Sequence, residues 1–414
     1  MKVLIINYAY YIIGGPERYL LNLEELLLKY DHEVYVFSQK LKKNKASEFV
    51  KYFPSSLNAN NNFFFEKQFK ISSIIKYINR TFFSKEVYSK LNKLIQNTNP
   101  DIAIILQYHK KLSPAVIKCC KDNYIPVVVR LSDYLMMCPQ SHFFRNNNIC
   151  ELCKINKMYS IKNKCVKNSY VYSLLWFIAD KYHHLAGFYS MVDTFIATNN
   201  FMKEKLIEYG YKNVVVIPTF TKRIDIVINY RNKKKQICFI GRITNYKGID
   251  LLVSAFSRVI NIHSDAKLII VGRDQEGYFS KKTHLKNIEY IGIQKSSVVR
   301  KVLSESLYTV LPVKWYENLP NVIIESFSTG TPVISTNIGS ISEMIKDGIT
   351  GYLTQYNSVE DLYLKIINAL GISEEKYKAM QYNCIREFNN IYCSEKHYLR
   401  LMELAKSVIE RQIQ

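Results

Sequence analysis

Two glutamates stand eight positions apart in Trp315-Tyr316-Glu317-Asn318-Leu319-Pro320-Asn321-Val322-Ile323-Ile324-Glu325. The pattern predicts Glu317 in a loop and Pro320 in a first helical turn, where its missing N–H costs nothing. Glu325 then lies inside a helix that stops at Gly330 before Pro332. The start of a helix presents free N–H groups and partial positive charge, which favour an anion. An anion held there has one carboxylate on each side. That arrangement suits a nucleotide-sugar: diphosphate on the helix end, one acid near the sugar, one on the ribose hydroxyls. Two glutamates at this spacing also arise by chance, so the pair draws its weight from its surroundings.

Upstream, Lys235 to Gly248 reads as a buried strand, a glycine turn and a helix start. Arg242 and Lys247 flank that turn and are spaced to fold over one phosphate pair, the arginine with two parallel hydrogen bonds. Ala266 to Gly272, Asn287 to Ile293, Thr309 to Pro312 and Pro332 to Ser335 are further short apolar runs. Helical segments alternate with them, at Asp250 to Ile260 and Val298 to Ser306. This is the rhythm of a parallel sheet wrapped by helices, whose ligands sit at the carboxyl ends of the strands. The first half has the same grammar. Lys2 to Asn7 predicts a strand rather than a signal peptide. Gly14-Gly15-Pro16 follows, then an amphipathic helix from Glu17 to Tyr30 and a strand from His32 to Phe37. Two more strands, Asp101 to Leu106 and Pro126 to Leu131, lead to His109 and Asp133, candidates for work near a second substrate.

The second half, from about Ile237 to Leu353, resembles the donor-binding domain of a GT-B glycosyltransferase of the large retaining family 4 (glycosyl transferases group 1). The Gly-Arg…Lys-Gly and Glu-x7-Glu elements carry the resemblance. It implies an α/β fold of two Rossmann-like parallel-sheet domains facing a cleft. It implies that Arg242 and Lys247 neutralise the donor diphosphate, with the backbone around Asn318, Leu319, Pro320 and Asn321 cradling it. Glu325 would hold the ribose, Glu317 would lie by the donor sugar, and the Gly14-Gly15 loop would face the phosphates across the cleft. Ile293 and Gln294 would border the base. The family frequently has a His-Asp pair after the strand ending at Leu131; here Ser132 stands where the histidine would be, and Asp133 remains. No Asp-x-Asp element stands out, so the implied site holds its diphosphate with side chains and helix ends and needs no catalytic cofactor.

Cys138, Cys150, Cys153 and Cys165 are spaced C-x11-C-x2-C-x11-C in an Asn- and Lys-rich segment. Four thiolates so spaced suit a closed structural zinc site; disulfides or free thiols are the alternatives. The other five cysteines read as small apolar residues. Nine cysteines without a secretory signal favour a reducing compartment.

The 414 residues suffice for two cores, and 48% are hydrophobic. The expected organisation is an acceptor domain over 1–220 with a four-cysteine insert at about 138–165, a basic linker over 221–236, and a donor domain over 237–385. A final helix over 386–414 would pack back on the first domain. The formal charge of +22 calls for a partner. Dispersed basic residues and no recognised nucleic-acid motif speak against nucleic acid. An anionic membrane surface fits two stretches that mix aromatics with lysines, Phe63 to Lys93 and Asn168 to Tyr189. No run is long and apolar enough to span a bilayer. The expectation is therefore a cytoplasmic enzyme, peripheral on the inner face of the cell membrane, that passes a sugar to a hydroxyl of a cell-surface polysaccharide or lipid-linked oligosaccharide. A nucleotide-sugar epimerase and a non-catalytic glycan or nucleic-acid binder are the rivals.

Overall fold

The computed structural model describes residues 1–57, 71–223, 230, 233–279 and 286–413. The chain runs through β1 (Lys2–Ile6), β2 (Glu33–Phe37), β3 (Ile102–Ile105) and β4 (Val127–Arg130), then a small antiparallel hairpin of β5 (Phe144–Arg145) and β6 (Asn148–Ile149). It continues with β7 (Thr194–Ala197) and β8 (Val214–Val216), which complete a six-stranded sheet ordered β2-β1-β3-β4-β7-β8. The second half forms β9 (Lys234–Ile240), β10 (Lys267–Val271), β11 (Ile288–Tyr290), β12 (Ser306–Leu311), β13 (Val333–Thr336) and β14 (Gly351–Thr354). Their order is β11-β10-β9-β12-β13-β14. Every pair in both large sheets is parallel. The α/β class and the two parallel-sheet lobes are as the sequence predicts.

Continuous Val and Ile runs explain the parallel geometry. The four residues Ile102 to Ile105 are all buried, as are Val127 to Val129, because helices cover both faces. Strand order reverses between β1 and β3 in one sheet and between β9 and β12 in the other. Crevices that accept ligands open at such reversals.

Two glycines let the second lobe close up beneath its crevice. A β-carbon on Gly272 would stand 1.7 Å from the Gly241 carbonyl oxygen, so the ends of β9 and β10 touch backbone to backbone. Gly248 has φ +73, and a β-carbon there would lie 1.8 Å from the Pro312 carbonyl oxygen. The turn carrying Lys247 is thereby pressed against the end of β12.

The helix Asn321–Ser328 starts one residue later than expected: Pro320 caps it in extended conformation (ψ 110) instead of forming its first turn. Either place tolerates a residue without an N–H. Gly330, with φ 61, ends the turn that follows. The first helix, Gly15–Lys29, starts two residues earlier than predicted, because the Glu17 carboxylate accepts the Gly14 N–H at 2.9 Å.

The last helix, Ser394–Ile413, lies on the first lobe. Tyr398 stacks on Tyr30 with ring centres 3.7 Å apart, and Tyr19 hydrogen-bonds His397 at 2.9 Å. Leu401, Met402, Ala405 and Val408 share a core with Val3, Leu20 and Leu23. Where the chain leaves the first lobe and where it returns, it is bonded to itself: Thr221 pairs with Cys393 and donates its N–H to the Tyr392 carbonyl at 3.2 Å.

The cysteine segment departs from expectation. Met136, Met137, Cys138 and Phe143 are buried in the first lobe's core, so the segment is anchored by apolar packing. Among the described residues no three His, Cys, Asp or Glu side chains are arranged to hold a metal, and all nine cysteines are free thiols. The structural zinc expected at Cys138, Cys150, Cys153 and Cys165 is therefore not supported. The four are close enough to interact: burial pushes the Cys153 thiol up to about 12, and Cys138, Cys165 and Cys150 reinforce the shift.

Candidate functional site

A cleft of about 410 Å³ lies between the carboxyl ends of the two sheets. The first lobe contributes Gly15, Arg130, Asp133 and His142; the second contributes Arg242, Tyr246, Trp315, Glu317, Asn318, Leu319 and Asn321. Gly15 lets the lobes approach, since a β-carbon there would already touch the Asn321 amide at 3.4 Å.

Glu317 is held in this cleft through both its side chain and its backbone. One carboxylate oxygen takes an ion pair from Lys247 and the indole N–H of Trp315. Both charged side chains are about nine-tenths buried. The Glu317 carbonyl accepts from the Tyr134 hydroxyl at 3.0 Å and from Ser340 at 2.9 Å. Lys247 also rides 5.4 Å above the Trp315 ring. The expected partnership of Arg242 and Lys247 over one anion is thus only half open. Arg242 lines the cleft, 5.6 Å above Tyr246, while Lys247 is turned toward Glu317.

Asn318 joins the lobes. Its side chain accepts from Thr198 and its carbonyl from Asn199, both on the far lobe. Glu325 lies in a different depression, a groove of about 870 Å³ shared with Arg18, Gln294 and Arg300. There Arg18 of the first lobe pairs with it at 3.1 Å. Burial pushes the Glu325 carboxyl up, while Arg18 and Arg300 pull it back. The two glutamates read as flanking one anion therefore open onto separate cavities, Glu317 ahead of the Asn321–Ser328 helix and Glu325 within it. Ile293 is solvent-exposed and lines neither of these cavities. Gly14 likewise lines neither, and serves as the helix cap beside Gly15.

Asp133 sits in the cleft wall. Its carboxylate accepts the Leu135 N–H at 2.9 Å and the Gln107 amide at 3.3 Å. Burial raises its carboxyl, and the Leu135 N–H and Lys110 oppose the shift. His109 lies behind the cleft in two smaller cavities, stacked on Tyr108. Burial pushes its imidazole down to about 3, with His183 adding to the shift, so it is neutral at pH 7.

Two cleft residues escape the sequence reading. Arg130 ends β4 fully buried, its guanidinium 3.6 Å over the Tyr19 ring and hydrogen-bonded to Ser132 and Thr219. A lone charge at the end of an all-apolar strand was the available signal. His142 packs edge-on to Trp315 at 4.9 Å. Burial, helped by Arg242, pushes it down to about 4. It belongs to the cysteine segment, which thereby reaches across to the second lobe.

Known proteins match along the whole chain. Residues 13–222 match the family described as Glycosyltransferase Family 4, and residues 220–386 match Glycosyl transferases group 1. A 42.6 kDa protein of the Klebsiella pneumoniae cps region is 25% identical over 83% of this chain and 87% of its own. The alpha-maltose-1-phosphate synthase of Mycobacterium tuberculosis is 29% identical over 38% of this chain and 45% of its own. Sucrose-phosphate synthase from Thermosynechococcus elongatus shares the fold at TM-score 0.68 and 15% identity, covering 99% of both chains. HepE of Anabaena, in complex with UDP and glucose, does so at TM-score 0.65 and 15% identity, covering 98% of this chain and all of that one. With paired parallel sheets, a cleft at their carboxyl ends and both family matches in register, the chain belongs to the group 1, family 4 glycosyltransferases of GT-B fold.

Proposed function

We propose that the protein transfers a sugar, with retention at the anomeric carbon, from a nucleotide-sugar to a hydroxyl of a saccharide or lipid-linked acceptor. The observation that carries this reading is the single cleft in which Arg130, Arg242 and the Asn318–Asn321 turn face Asp133 and Glu317. Departure of the diphosphate leaves negative charge on one side and positive charge on the sugar ring. Fixed cations at Arg242 and Arg130 meet the first, and such preorganised charge is commonly the largest catalytic contribution. Glu317, fixed by Lys247 and Trp315, meets the second. Glu325 takes the ribose hydroxyls by exchanging its Arg18 contact for them. The UDP held by HepE supports a uridine nucleotide, and the cps-region relative supports a polysaccharide product.

An anionic membrane surface fits the first lobe. The helix Tyr170–Leu185 exposes Val171 (73%), Leu174, Ile178 and Leu185 (79%) on its outer side. Lys164 and Lys167 stand over Tyr170 and Tyr172 at its start. The helix Ile71–Thr81 exposes Ile74, Ile75 and Ile78. The aromatic stretch that begins at Phe63 lies outside the described residues as far as position 70. No described helix is long and apolar enough to cross a membrane.

Thermal-shift titration with UDP, GDP and ADP tests the donor site: one of them must raise the melting temperature. No shift with any of the three overturns the proposal. Incubation with the donor alone separates transfer from epimerisation, since an epimerase changes the sugar without an acceptor.

A further inference from the structure

A second cavity, of about 230 Å³, opens behind the cleft and shares Gln107, Arg130, Ser132 and Asp133 with it. Its remaining wall carries Tyr8, His109, Lys110 and Lys111. The two lysines occupy the turn that leaves β3. Lys110 is held there at φ 58, a left-handed conformation unfavourable for a residue with a β-carbon. Such strain persists where the surroundings demand it, commonly at binding sites.

The charges in this cavity do not balance. Among the described residues, neither Lys110 nor Lys111 forms a salt bridge or hydrogen bond through its ammonium; Lys111 has only the Tyr8 ring beneath it, 6.0 Å away. Arg130 adds a third positive charge to the lining. The carboxylate that acts on Lys110 is Asp133, already engaged by Gln107 and the Leu135 N–H. Ammonium groups drawn out of water without a counter-charge are costly, and an entering anion removes that cost. A neutral sugar hydroxyl does not.

Given the transferase reading above, on which this step rests, we infer that the cavity is an acceptor subsite that takes an anionic group. That group is a phosphate or a sugar carboxylate, held by Lys110 and Lys111 beside the hydroxyl that receives the new sugar. Lys110 also borders a smaller cavity lined by Trp176, Ala179, Asp180 and His183. Those four residues belong to the helix whose opposite side exposes apolar residues.

The test uses three probes with one tail: octyl glucoside, octyl glucuronide and octyl phosphate. Each is titrated calorimetrically below its micelle concentration into the full chain saturated with whichever nucleoside diphosphate binds. At least one anionic probe should bind roughly tenfold more tightly than the neutral one, as expected for a charge-assisted contact. Preference for octyl phosphate assigns a phosphate head; preference for octyl glucuronide assigns an acidic sugar. Lys110→Met/Lys111→Met should abolish the preference and leave nucleotide affinity within about twofold, which also reports a folded donor lobe. Lys111→Met alone, at a half-buried position, should reduce the preference about threefold. Equal binding of all three probes, or a preference that survives the double substitution, overturns the subsite. If the anionic probes bind with the expected preference but no nucleoside diphosphate does, the cavity stands as an anion site, and the transferase reading falls together with the acceptor role.

Discussion

Lys247→Met deletes one charge of the pair with Glu317 and keeps most of the stem that packs on Trp315. Both charged side chains are about nine-tenths buried. Removing one partner of such a pair costs about 3–5 kcal/mol, because the other charge stays behind without compensation. Glu317 retains the Trp315 N–H, and the cleft is open on one side, so the lower figure, about 3 kcal/mol, applies. For a lobe of this size, each kcal/mol lowers the melting temperature by roughly 2–4 °C. The expected drop is therefore about 6–12 °C, read by calorimetry on the transition that a bound nucleotide raises. Glu317→Gln in the same chain removes the stranded charge and should restore most of the loss. Turnover behaves differently. Both variants should lose at least roughly tenfold, since neither keeps Glu317 as a carboxylate fixed by Lys247 beside the sugar. A melting shift under 2 °C, or a double variant no more stable than the single one, refutes the account of Lys247 and Glu317 as a mutually compensating pair.

Glu325→Ala should lower turnover at least roughly tenfold with little change in melting, because its Arg18 contact is partly exposed and such pairs contribute at most about 1 kcal/mol. Gly248→Ala should destabilise the second lobe severely and yield little soluble protein on expression, since its β-carbon would overlap the Pro312 carbonyl at a left-handed backbone position. Preference for the anionic octyl probes should weaken as pH rises through about 8: burial, with Lys167, holds Lys110 down to that value against the pull of Asp133, and the anion favours its charged form. Co-sedimentation should show more protein on anionic than on neutral vesicles, with the difference reduced by salt; equal binding to both would remove the membrane surface from the proposal.

The local layers of the structure were legible from one residue to the next. Val- and Ile-rich runs ending in glycine give β9 and β10, and Gly14-Gly15-Pro16 ahead of an amphipathic run gives a helix start to within two residues. The fold class follows from their alternation. What escaped depends on contacts between residues far apart in the chain. Lys247 looks like a free phosphate ligand in sequence, yet it meets Glu317 seventy positions later. The Glu-x7-Glu spacing fixes two acids around one helix start but not which cavity each faces, since that depends on how Arg18 of the other lobe packs. The cysteine spacing reads as a metal site because the Asn- and Lys-rich segment offers little core of its own. Phe143 and Cys138 find one in residues more than fifty positions away, such as Phe195 and Met202.

The adjacent passages at Thr221 and Cys393 restrict how the halves can move. A chain that crosses once leaves its halves free to swivel about a point. One that crosses twice, with the crossings bonded to each other, behaves as an axle: rotation about it is easy and twisting across it is resisted. Opening of the cleft is then expected along a single angular coordinate. The contacts of Asn318 and Arg18 with the opposite half act as its stops, and freeing the last helix would convert the axle back into a swivel.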